Sequence, residues 1–168
     1  MNYVLDFLGN GILWTGIVSW LVAQLFKMLI TILVEKRFSW ERLFGDGGMP
    51  SGHSATVTAI ALSSGWCFGF HSVYFALAGT LAVIVMHDAV GVRREAGKQA
   101  TSIKQLAELI NGLVGEKDEL VRTDKLKELV GHTPLQVFFG FLLGAAVTVV
   151  AMVVFGAEYC GGAFSLFA

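Results

Sequence analysis

The chain has 168 residues, 55% hydrophobic and only 15% charged, against about 25% charged in a typical soluble domain. Twelve Lys and Arg against thirteen Asp and Glu leave a formal charge of −1, and mean hydropathy is +0.67. These figures exclude a disordered chain, a collagen, a disulfide-dense scaffold and a nucleic-acid-binding arm. They predict one domain, residues 1–168: an all-α integral membrane helical bundle, in which 20 glycines suit closely packed helices.

A spanning helix needs about 20 mostly apolar residues, and four windows qualify. Residues 1–10 are too short to span, contain no Lys or Arg, and read as an interfacial lead-in rather than a signal peptide. The first span runs over 11–34 and is interrupted by Gln24 and Lys27. Snorkelling to the interface is the simpler account of Lys27; joining a cluster of polar groups at the inner end is the other. The second span covers 51–70. The third covers 73–92, with His87 and Asp88 near its end. The stretch 93–133 is polar and balanced in sign. Ile103, Leu106, Ile110 and Leu113 recur at helical spacing, and Leu120, Leu126, Leu129 and Val130 mark a second amphipathic piece. A cytoplasmic helical hairpin is expected, lying on the bundle or membrane surface, with a lid over a site as the alternative. The fourth span, 135–157, carries no charge. Cys67 and Cys160 fall toward the outer span ends and are expected to be free packing residues rather than a bridge.

Eleven of the twelve basic side chains follow span one or span three, and the twelfth is Lys27. The positive-inside rule therefore predicts a multi-pass cell-membrane protein with both polar loops in the cytoplasm and both termini outside.

Three polar motifs meet at that inner face. Met49-Pro50-Ser51-Gly52-His53-Ser54 opens span two; Pro suits a first helical turn, and small residues let an anion approach the N–H groups of Ser51, Gly52 and His53. His87-Asp88 and Arg93-Arg94-Glu95-Ala96-Gly97-Lys98 close span three. In a continuous helix His87, Gly91, Arg94 and Lys98 would share one face. Basic residues flanking a span need no further explanation, but Asp88 does: an intramembrane carboxylate has a partner or a task. Gly131-His132-Thr133-Pro134-Leu135-Gln136 opens span four. Thr133 and Gln136 form a capping box around Pro134, which leaves His132 unexplained. Two histidines and several cations at one headgroup layer can divide a phosphoryl transfer. One imidazole attacks phosphorus, the other protonates the leaving oxygen, and Arg or Lys neutralises the equatorial oxygens.

Pro50-Ser51-Gly52-His53 resembles the central motif of the type 2 phosphatidic acid phosphatase superfamily, which includes vanadium haloperoxidases. With residues 87–99 and 131–136 it is similar to that superfamily's small, divergent membrane branch, over about residues 25–144. The resemblance implies cleavage of lipid phosphates or diphosphates with no cofactor and no metal. It implies that His53 protonates the leaving group and that His132 forms a phosphohistidine. The family's first motif, Lys-x6-Arg-Pro, is matched incompletely by Lys36 and Arg42, which have five residues between them and no following Pro. Gln136 stands where the family has its orienting Asp. Asp88 is a candidate for the missing carboxylate, and Arg93, Arg94 or Lys98 for the phosphate clamp. The expected function is a phosphatase acting on a phosphatidate-like, phosphatidylglycerophosphate-like or prenyl-phosphate lipid at the cytoplasmic face. The alternative is a lipid-phosphate binder or translocase without chemistry. The expected partners are the bilayer, the lipid substrate and a second copy in a homodimer, since four spans make a thin wall around a site; no nucleic acid is expected.

Overall fold

The computed structural model describes residues 3–36, 48–114, 132–156 and 159–160. Arg42, the Arg93 side chain and the expected amphipathic piece around Leu120–Val130 lie outside the described residues. Every regular element within them is α-helical: α1 Tyr3–Leu8, α2 Gly11–Glu35, α3 Gly52–Phe68, α4 Val73–Val90, α5 Val92–Val114 and α6 Pro134–Phe155.

Local chemistry sets the helix ends. The side chain of Asn10 accepts from Leu13 N and starts α2, as Ser51, Ser72 and Thr133 do for α3, α4 and α6. Lys36 closes α2 in the left-handed conformation, with φ 51° and its N–H on Ile32 O. At Gly91 φ −90° and ψ −92° break the ladder between α4 and α5. Arg94 and Lys98 therefore belong to a separate helix and do not continue the face of His87.

Small and polar side chains make up the interior. On α2 the buried positions Thr15, Ser19, Ala23, Lys27 and Thr31 recur every fourth residue. The buried set of α3 includes Ser54, Ala55, Thr58, Ala59, Ser63 and Ser64. Large apolar side chains point outward instead: Leu25, Leu29, Leu33, Leu77, Leu81, Val150 and Val153 are all exposed. Water would drive these residues inward. Hydrocarbon does not, so helices pack on small residues and the large ones face lipid.

Helix α3 is central and touches α2, α4 and α6. Its junction with α6 is the tightest. A Cβ on Gly140 would collide with the Ser51 carbonyl oxygen, and one on Gly144 with that of Ala55. One turn further on, Thr148 Oγ1 donates to Gly144 O and Ala59 O. The small-residue pair on α6 thus serves this intrachain contact. Among the described residues, three helical stretches are long and apolar enough to cross a membrane: Gly11–Val34, Val73–Leu113, whose apolar part is α4, and Pro134–Phe155. With 17 residues, α3 is shorter, and its Ser, Ala and Gly wall faces other helices rather than lipid.

The bundle has two distinct ends. At one, Ser51 N donates to Gln136 O and His132 N donates to Ala89 O, both at 3.0 Å. These bonds bring together the start of α3, the end of α4 and the start of α6. At the other, Cys67 and Cys160 form a disulfide with Cα atoms 5.3 Å apart, which corrects the expectation of free thiols. Tyr159 positions this second end: its hydroxyl meets Thr15 Oγ1 at 2.6 Å and Ser63 Oγ at 2.7 Å.

Candidate functional site

His53 and His132 come from helices 79 positions apart in sequence, yet their ring centroids are 6.2 Å apart and tilted by 52°. His53 is the second residue of α3 and is exposed; His132 precedes the α6 cap and is only 3% exposed. The two caps fix their positions. Ser51 Oγ accepts from Ser54 N and Ser54 Oγ. Thr133 Oγ1 accepts from Gln136 N, while Gln136 Oε1 accepts from Thr133 N.

These bonds also narrow the anion-binding expectation. Ser51 is fully buried and its N–H is committed to Gln136 O. It pins α3 to α6, so its N–H is not open to an anion. The N–H groups of Gly52 and His53 head the helix and have no intrahelical acceptor, and the positive end of the α3 dipole lies there.

Lys27 adds the cation. It is 5% exposed, so it does not snorkel. Its stem runs beside Gly48, whose φ is +103°, and its Nζ lies 3.9 Å from where a Gly52 Cβ would be. A side chain at position 52 would also press on Trp20 Cδ1 at 3.2 Å. Glycine therefore allows both the indole and the ammonium to approach the first turn of α3. The only sequence signal for this role was a charge inside a span.

The remaining expected residues are distributed as follows. Asp88 is half-buried at the same end, next to Ala89, whose carbonyl receives the His132 N–H. Lys98 bonds Glu95 at 2.6 Å, with both side chains well exposed. The Lys98 ammonium, by hydrogen bond and then by charge, holds the Glu95 carboxyl below its ordinary range. In this arrangement the Lys98 ammonium is paired with Glu95. Arg94 and Lys36 are exposed. Among the described residues no three His, Cys, Asp or Glu side chains converge as a metal centre would require.

Two imidazoles, a buried ammonium and a helix N-terminus thus lie at one end of a helical membrane bundle. The family model described as "Divergent PAP2 family" matches residues 8–147, and the chain belongs to that family. It is 41% identical over 152 residues to the Bacillus subtilis (strain 168) protein named "Uncharacterized membrane protein YuiD", an alignment covering 87% of this chain and 96% of that one. No solved structure matches the chain. The protein is thus a membrane protein of the divergent branch.

Proposed function

We propose that the protein is a lipid phosphatase working at the cytoplasmic face through a phosphohistidine. The 6.2 Å spacing of the His53 and His132 rings carries this reading. In-line transfer needs an attacking nitrogen about 3 Å from phosphorus and a proton donor about 3 Å from the leaving oxygen. Two rings at this separation can hold one phosphoryl group between them.

An imidazole nitrogen of His132 attacks phosphorus, and the bond from phosphorus to the lipid oxygen breaks. That oxygen takes a proton from His53 as it leaves, and a phosphohistidine remains at position 132. Water then gives a proton to His53 and attacks phosphorus, the P–N bond breaks, and inorganic phosphate departs with both imidazoles restored. Lys27 and the N–H groups of Gly52 and His53 stabilise the equatorial oxygens. Arg42 and Arg93 remain candidates for further clamping, and Asp88 for orienting an imidazole.

The basic bias of the loops supports a cytoplasmic site. The disulfide at the opposite end supports it independently, because disulfides persist on the oxidising side. On this reading α3 is a fourth span. The test is phosphate release from a short-chain lipid phosphate by purified protein. Turnover is expected, with a loss of at least about a hundredfold in His53→Ala and in His132→Ala. No release by the wild type, or undiminished release by both variants, contradicts the proposal.

One observation favours a second reading, a binder or translocase without chemistry. The Gln136 oxygen is spent on the Thr133 cap and so does not orient His132. Anionic-lipid binding that survives both histidine substitutions, without hydrolysis, would select it.

A further inference from the structure

Where α3 meets α2 and α6, glycines bring the backbones together: Gly16 against Ile60, Gly52 against Trp20, and Gly140 and Gly144 against α3. The α2–α6 seam differs. Bulky Phe26 and Ile30 line it together with Phe139, Leu142 and Leu143, around an open groove of about 300 Å³. This is the lower end of the size range of ligand pockets. Met49 and Pro50 form its remaining wall, and the next two residues are Ser51 and Gly52. Its Met49–Pro50 wall thus adjoins the start of α3, where the polar end of the bundle begins. Phe26 also precedes Lys27, the buried cation of that end.

The depth is informative. Phe139 and Leu143 lie seven and eleven residues beyond His132, roughly 10 and 16 Å further along the α6 axis at 1.5 Å per residue. An amphiphile with its phosphate between the histidines would direct its hydrocarbon along this line, away from the headgroup layer.

We propose that this α2–α6 groove holds the hydrocarbon chain of the lipid phosphate, and that Phe26, Ile30, Phe139 and Leu143 determine which chains are accepted. The inference rests on the lipid-phosphate reading of the histidine site. It adds the location of the chain and the residues that select it. The occupant is a single long acyl or prenyl chain, because an apolar groove opening beside a headgroup site has no polar group to offer other ligands. A second groove of about 500 Å³ lies at the disulfide end, walled by Trp14, Val18, Val150 and Val154; it has no continuity with the histidines and serves as the internal control.

Two measurements test the proposal. The first compares kcat/KM for a C16 and a C6 lipid phosphate in Ile30→Trp and Leu143→Trp. The C16-to-C6 ratio is expected to fall about tenfold in each, the scale on which apolar pockets discriminate by a methylene or more. An unchanged ratio overturns the groove. The second needs no turnover and uses a C16 phosphatidate carrying a photoreactive diazirine near the end of its chain. Adducts are expected on peptides containing residues 26–30 and 139–143. Adducts confined to residues 14–18 and 150–154, or spread evenly over all spans, overturn it. Groove adducts in a protein that releases no phosphate would discard the phosphatase and keep the groove. Phosphate release with adducts elsewhere would do the reverse.

Discussion

A lysine ammonium inside a helical bundle is costly unless charge or hydrogen bonds compensate it, and Lys27 sits 5% exposed with its Nζ against the start of α3. A phosphate at the Gly52 and His53 N–H groups would lie beside that ammonium. Lys27→Met is therefore expected to raise KM for a lipid phosphate by roughly 10- to 100-fold, the scale of a charge-assisted hydrogen bond. Steady-state kinetics on the purified variant checks this, and an unchanged KM would remove Lys27 from the site. Position 27 was only partly legible in the sequence. Hydropathy shows an interrupted span, but whether the side chain snorkels or turns inward depends on Gly48 and Gly52, some twenty residues away. The two histidines were more legible, since each sits in a helix-start motif whose other members are explained by capping.

Among the elements, the α3–α6 junction fixes the histidine pair. Gly140 and Gly144 let α6 lie against the α3 backbone, and Ser51 N to Gln136 O sets the register. A larger side chain there must push the helices apart, and overpacking of this kind costs typically 1–3 kcal/mol. Gly140→Val is expected to lower the melting temperature in detergent and to reduce phosphate release with it. Thr148→Val, which removes one hydroxyl bonded to Gly144 O and Ala59 O, is expected to have a smaller effect. Thermal unfolding of both variants gives the ranking; equal melting temperatures for wild type and Gly140→Val would contradict the close packing. Hydropathy anticipated an all-α membrane bundle, because long apolar runs suffice to signal helices of this kind. The same pattern did not reveal the break at Gly91, since a single glycine in a helical run is compatible with continuity. The face expected to link His87 to Arg94 and Lys98 was lost there.

At the scale of the whole molecule, the exposed large apolar residues and the buried hydroxyls form a lipid-facing exterior around a compact polar-and-small interior. Composition alone foretold a closely packed helical membrane bundle. It did not foretell the Cys67–Cys160 bond, whose partners lie 93 positions apart and meet beside Tyr159, which is bonded to Thr15 and Ser63. Maleimide labelling of the denatured protein is expected to add nothing before reduction and two groups after it. Labelling of both thiols without reductant would contradict the bridge. The homodimer expected from a thin bundle remains a proposal; Gly140 and Gly144 are occupied within the chain, so a partner must use another face. Native mass measurement in detergent is expected to show the dimer, and a monomer at every concentration would dismiss it.

Rapid quenching gives the most immediate readout of the proposed covalent chemistry at the two imidazoles. Purified protein is mixed with a lipid phosphate carrying labelled phosphorus, stopped in base within milliseconds to seconds, and digested. An acid-labile, base-stable phosphoryl group is expected on the peptide containing His132 and is expected to be absent from His132→Ala. A wild-type protein that hydrolyses the lipid with no such adduct, or carries the adduct on another residue, would contradict it.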